Sequence, residues 1–182
     1  SGLEVRRSAV FGWYVIQVQS GRELAVAADI RQRVEVDTLK DCFAPRWQTQ
    51  QKRKGEWRYV ERNLIPGYVI AVTSDPQDLE GRLKDVPGFT KMLRSGGVLR
   101  PLAPDEVSWF NSFARTEYRV IPMSTGIKEG DRVIITDGPL KLHQTEIKRI
   151  DRRRSTAYVE ISILGRKKTV PVGLKILVKR ER

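Results

Sequence analysis

The sequence predicts an α+β unit followed by a small all-β barrel, on three observations. Residues 12–18 are β-branched and aromatic on both faces, as a central strand is, and apolar residues at helical spacing follow directly. Residues 118–126 carry Pro122 and Gly126 without a helical or alternating period, which marks a linker. Beyond it, Ala157, Val159, Ile161 and Ile163 alternate with Tyr158, Glu160 and Ser162, the period of a strand buried on one face. At 182 residues the chain is long enough for two small cores.

Each element has a local reason. Ser20 and Glu23, three apart, predict a capping box that opens a helix whose buried face is Leu24, Ala27, Ile30 and Val34. Residues 44–47 and 56–60 flank a basic segment, residues 50–55, where Gly55 predicts the tip of a hairpin or long loop. Pro66 and Gly67 turn the chain into a buried strand over residues 68–72. Asp75 and Pro76 start a second helix with Leu79 and Leu83 one turn apart, and Pro87 ends it by disfavouring a helical Val86. Pro104 opens a third helix through Phe113, with Val107, Phe110 and Phe113 three apart. In the last third, short strands at residues 132–136, 157–163 and 170–172 are separated by turn residues, and closure into a barrel removes the edges such a sheet would expose.

Charge narrows the function. With 34 Lys+Arg against 22 Asp+Glu the formal charge is +12, more than solubility requires, so an anionic partner is expected. Residues 1–125 carry +4 and residues 126–182 carry +8. The longest uncharged stretch, residues 8–21, contains two Gln, two Ser and two Gly and falls short of the roughly 18 apolar residues a spanning helix needs. Neither a membrane partner nor a secretory leader is therefore expected, and Ser1 and Gly2 read as a cloning scar within an N-terminal extension, residues 1–11. Cys42 and His143 are the only cysteine and histidine, which excludes an intrachain disulfide and a Cys/His zinc framework. No catalytic residue, metal or cofactor is expected: Cys42 reads as a small buried hydrophobe, and its pairing with His143 for nucleophilic catalysis has no local signature. A reducing, cytoplasmic setting fits.

Several motifs together resemble a known family. Trp13-Tyr14-Val15 followed by Ser20-Gly21 and a helix, Ile65-Pro66-Gly67-Tyr68-Val69, and Val86-Pro87-Gly88 are similar to the N-terminal (NGN) domain of NusG-type transcription elongation factors. Gly130-Asp131-Arg132-Val133, Thr136-Asp137-Gly138-Pro139 and Ile163-Leu164-Gly165-Arg166 resemble their KOW domain. The resemblance implies an NGN-type antiparallel sheet with flanking helices over residues 12–116, a linker over 117–125 and a small all-β KOW (SH3-like) barrel over 126–182. It further implies a monomer whose first domain docks on the β′ clamp helices of bacterial RNA polymerase and reaches toward the β subunit. The contacts would come from Trp13, Tyr14, Ile65, Tyr68, Pro87 and Phe89, side chains that also read as core.

Two departures from the family pattern are informative. Thr145 stands where the KOW glycine is expected, removing the residue that best tolerates positive φ at a bulge. The charge excess is more like LoaP, a specialised branch that acts as a processive antiterminator on long biosynthetic operons and recognises an RNA hairpin in their leaders. That likeness implies a nascent RNA hairpin as partner. Lys148, Arg149, Arg152, Arg153, Arg154, Arg166, Lys167 and Lys168 are its candidate ligands on one barrel rim, with Lys141 and His143 beside them. Lys52, Arg53 and Lys54 are separate candidates for upstream or non-template DNA. Three alternatives stay open: a general NusG whose barrel meets Rho or a ribosomal protein, a ribosomal or other RNA-binding KOW module, and a charge excess that is only solvated surface.

Overall fold

The computed structural model describes residues 9–114 and 119–178. Most of the expected N-terminal extension, residues 115–118 at the expected junction between NGN domain and linker, and the last four residues, 179–182, lie outside the described residues. In chain order the first elements are β1 (Gly12–Val18), α1 (Glu23–Arg33), β2 (Leu39–Phe43), β3 (Arg46–Arg53), β4 (Glu56–Asn63), β5 (Tyr68–Thr73) and α2 (Pro76–Arg82). They are followed by β6 (Thr90–Met92), β7 (Arg94–Ser95), β8 (Val98–Leu99) and α3 (Pro104–Phe113). The remaining strands are β9 (Val120–Ile121), β10 (Ser124–Glu129), β11 (Arg132–Asp137), β12 (Ile147–Asp151), β13 (Thr156–Ile163) and β14 (Arg166–Val178).

Packing divides the chain into two units, the first built from Ser1–Phe43 and Gly67–Leu102. Its antiparallel sheet has the order β2-β5-β1-β6. β1 is a central strand, as its two apolar faces predict: Val15 lies opposite Ile70 and Ile16 opposite Val69, all buried. Two expectations for α1 are corrected. Ser20 forms no capping box, because the buried Glu23 carboxylate accepts from the N–H groups of Gly21 (2.8 Å) and Gly67 (3.0 Å), tying the helix start to the turn before β5. With Glu23 turned inward, Leu24 is exposed and Val26 takes its place on the buried face, while Ala27, Ile30 and Val34 are buried as predicted. α2 starts as predicted: the Asp75 carboxylate accepts from the Asp78 N–H at 3.0 Å, with Pro76 in the first turn.

The second unit is built from Ala44–Pro66 and Ala103–Arg182. β3 and β4 pair from Arg46 opposite Asn63 to Arg53 opposite Glu56. The connection is two residues, Lys54 and Gly55, both at positive φ (51° and 81°), the backbone that matches strand twist in a tight hairpin. Lys52 and Arg53 therefore end a strand rather than populate a loop. β9 adds to β3 in parallel. The all-β part has the strand order β11-β10-β14-β13-β12, with β14 pairing β13 up to Gly173 and β10 from Leu174 onward. Ala157, Val159, Ile161, Val170, Val172 and Leu174 fill its core, following the predicted alternation except at Ile163, which is only half-buried at the end of β13. At Gly173 a Cβ would stand 2.3 Å from the Gln48 carbonyl oxygen and 2.7 Å from Met123 Cγ, so the absent side chain lets β3 cross β14 at backbone contact. α3 has its predicted bounds, with Phe110 and Phe113 buried.

Candidate functional site

The predicted apolar contacts do not form one pocket. Tyr14 lies opposite Ala71 and Tyr68 opposite Gln17, so alternation along the paired strands sends the two tyrosines to opposite faces of the sheet. Both are half-buried, and burial raises the Tyr14 phenol above its ordinary pKa. Trp13 packs edge-on against Phe43, with ring centroids 5.3 Å apart. Ile65 is buried in the second unit. Pro87 and Phe89 are exposed in the turn after α2, and Phe89 borders a cleft of about 360 Å³ lined also by Leu83, Val86 and Met92. Of the six, Pro87 and Phe89 are exposed, Trp13, Tyr14 and Tyr68 are half-buried, and Ile65 is buried.

The predicted basic rim is also divided. Arg152, Arg153 and Arg154 occupy the turn between β12 and β13, whereas Arg166, Lys167 and Lys168 begin β14 just after the turn that ends β13. The eight residues of β13 separate the two clusters by roughly 23 Å at the ordinary strand rise. Arg154 lies 4.0 Å from Asp151; Arg152 and Arg153 are exposed and reach no carboxylate among the described residues. On the adjoining strand the Arg149 guanidinium lies 4.1 Å from the centre of the Tyr158 ring, leaving a planar cation exposed on β12. Lys148 is exposed beside it, and Lys141 is exposed in the helical turn Pro139–Leu142. His143 lies elsewhere: its ring is 4.1 Å from that of Phe113 on α3, and Nδ1 meets the Glu146 carboxylate. Thr145 sits in the short helical turn Gln144–Glu146 and has no positive φ, so the chain spans the expected glycine bulge with helical backbone.

At the second cluster, the buried Glu106 carboxylate of α3 accepts from the Ser162 hydroxyl (2.7 Å), the Gly165 N–H (3.2 Å) and the Ala103 N–H (2.8 Å). Lys167 pairs with Glu160 at 3.7 Å.

Sequence reasoning missed two residues on the β3–β4 hairpin. Trp57 and Tyr59 are 56% and 64% exposed, unusual for residues so apolar. The signal was their spacing of two along a strand opposite Lys52 and Gln50, which becomes legible once the two-residue turn sets the register.

Comparison with known proteins decides the family. The family model described as transcription termination factor nusG matches residues 11–111, more than half the chain. This chain belongs to the NusG family. The transcription termination/antitermination protein NusG of Rickettsia prowazekii is 27% identical over 176 residues, covering 94% of this chain and 91% of that one. The NusG of Bacillus subtilis is 29% identical over 170 residues, covering 90% and 94%. A solved structure described as domain interaction in Thermotoga maritima NusG shares the fold, with a TM-score of 0.53, 24% identity, and coverage of 91% of this chain and 94% of that one. The matched segment of the NusG family model runs from β1 into α3, and the longer alignments take in the all-β part as well. Members of the family are transcription factors rather than enzymes. Cys42 has the properties of a structural thiol: it is fully buried, and burial pushes its pKa up to about 12, with Arg31 opposing and Asp41 adding to the rise. Among the described residues no helix is long and apolar enough to cross a membrane, and no group of three His, Cys, Asp or Glu is placed to hold a metal.

Proposed function

We propose that this NusG-family chain is a specialised elongation and processive antitermination factor of the LoaP kind, a monomer acting in the cytoplasm. Its NGN domain, residues 12–116, holds RNA polymerase at the β′ clamp helices and reaches toward the β subunit, with Phe89 and Pro87 as the exposed anchors beside the Leu83–Val86–Met92 cleft. Its KOW domain, residues 126–182, binds a hairpin in nascent leader RNA.

The observation that carries the RNA reading is the state of the β12–β13 turn. Among the described residues Arg152 and Arg153 stand exposed without carboxylate partners, one turn from an Arg149 guanidinium stacked on Tyr158, in a segment of charge +8. Unpaired cations release counterions from phosphates on binding, and a guanidinium fork holds paired phosphate oxygens or a guanine edge. Because duplex RNA hides its major groove, sequence preference would come from a loop, bulge or distorted groove in that hairpin.

A second reading, a general NusG whose barrel meets a protein such as Rho or a ribosomal protein, draws support from the exposed Ile134, Leu142 and Leu177, which RNA binding does not require. Crosslinking the full chain to RNA in its native cell, with an Arg152→Glu/Arg153→Glu/Arg154→Glu control, separates the two. Enrichment at one or a few leaders, lost in the control, is expected; a diffuse signal following all transcription would return the chain to the general role.

A further inference from the structure

The β3–β4 hairpin carries a second cationic surface, this one with exposed aromatic rings. Cross-strand pairing places Trp57 opposite Lys52 and Tyr59 opposite Gln50, so all four side chains share one face of the ribbon. Lys52 Nζ lies 6.0 Å from the Trp57 ring, and both rings are more than half exposed. Spaced by two along β4, they are rooted about 6.8 Å apart, twice the roughly 3.4 Å rise between stacked bases. A root spacing of that size suits two rings that take one base between them.

The same face adjoins the barrel's arginine turn, since Gln50 Nε2 donates to Ser155 Oγ at 3.4 Å, one residue beyond Arg154. Glu56 and Glu61, the acids of β4, are matched by Arg58 (3.6 Å) and Arg46 (3.7 Å). Lys52, Arg53, Lys54 and Arg62 meet no carboxylate among the described residues, so the ribbon is net cationic around its two aromatic rings. Exposed aromatics flanked by unpaired cations form the arrangement that binds unpaired bases, the rings taking base faces and the cations the phosphates.

We propose that Trp57, Tyr59 and Lys52 form a stacking platform for unpaired RNA bases, continuous with the Arg152–Arg153–Arg154 turn that takes the phosphates of the same strand. The choice of RNA over other strands rests on the proposed function of that turn.

The test titrates the full chain with a labelled oligouridylate of roughly 10 nucleotides and with its deoxy counterpart, following anisotropy and tryptophan fluorescence. Stacking on Trp57 should quench its emission. Trp57→Ala should abolish the quenching and, with Tyr59→Ala, weaken binding by about 5- to 150-fold each, whereas Trp57→Phe should retain most of the affinity because it keeps a stacking face. Far-UV circular dichroism confirms that the variants are folded. Binding by the Trp57→Ala/Tyr59→Ala protein within about twofold of the parent overturns the platform. Tighter binding of the deoxy strand overturns its assignment to RNA. Loss of affinity on reversing the three arginines, with the aromatic variants unaffected, overturns the platform and leaves the barrel reading standing; the opposite pattern overturns the barrel reading and leaves the platform.

Discussion

The two ends of β13 each carry three consecutive cations, and they sit in different surroundings. At one end Arg152 and Arg153 meet no carboxylate among the described residues, and the turn they occupy touches the β3–β4 hairpin through Gln50 and Ser155. At the other, Lys167 is held by Glu160, and the turn before Arg166 is pinned to α3 through Glu106. A cation run binds phosphate to the extent that its charges are uncompensated and its backbone is placed beside other ligand-contacting groups. By both criteria the Arg152 end fits the recognition surface proposed above, and the Arg166 end is tied to α3 through the turn that precedes it.

Reversing charge at each end is the strongest way to break that contrast. Arg152→Glu/Arg153→Glu/Arg154→Glu should lower affinity for an RNA hairpin by about 100-fold and make the salt dependence shallower by about 2 to 3 in log–log slope. Reversing Arg166, Lys167 and Lys168 should cost less than about tenfold in the same titration, because part of that charge is already compensated. Equal losses would mean that RNA covers both ends. Next in size is Glu106→Ala, which leaves the Ser162 hydroxyl and two N–H groups without their acceptor and should destabilise the fold by about 3 kcal/mol in urea unfolding. Glu106→Gln keeps an amide oxygen and should recover part of the loss. RNA affinity, set at the far end of β13, should stay within about twofold in both variants.

The sequence made much of the fold legible wherever a single segment contains its own reason. β1 and α3 have their predicted bounds because two-sided apolarity and a Pro104 start need no distant partner. At α1, Ala27, Ile30 and Val34 are buried as their spacing predicts. Ser20 and Glu23, however, match a local capping pattern that does not form, because the carboxylate is drawn instead to the N–H of Gly67, 44 residues away, and Leu24 is left exposed. The site was less legible for the same reason. Tyr14 and Tyr68 look like neighbours in a list of aromatics, and only the β1–β5 register, which pairs Tyr68 with Gln17, shows that they face apart. The two cation runs seemed to converge because turns of a small barrel can do so; strand direction puts them at opposite ends of β13. Trp57 and Tyr59 read as ordinary strand residues until the Lys54–Gly55 turn fixed which neighbours they have.

A smaller effect is expected at the crossing that joins hairpin to barrel. Gly173→Ala puts a methyl group 2.3 Å from the Gln48 carbonyl oxygen, a backbone atom that cannot swing aside, and should cost about 2 kcal/mol in urea unfolding. If the hairpin yields by shifting along β14, the Gln50–Ser155 contact is lost and single-stranded RNA affinity should fall although no RNA-facing residue has changed. Unaltered affinity at reduced stability would mean that the aromatic face and the arginine turn act independently.

The smallest effect sharpens the comparison most finely. The Lys167–Glu160 pair spans 3.7 Å between side chains that are 82% and 34% exposed, so water and salt screen it heavily. A double-mutant cycle of Lys167→Ala and Glu160→Ala should give a coupling of less than about 0.5 kcal/mol in stability. In RNA binding the two single changes should have opposite signs: Lys167→Ala removes a cation and weakens affinity slightly, whereas Glu160→Ala frees Lys167 and strengthens it, each by less than about threefold at moderate salt. If Glu160→Ala instead raised affinity to match the Arg152 end, compensation by that one carboxylate would be the whole difference between the two clusters. The attachment of the β13–β14 turn to α3 would then have no part in it.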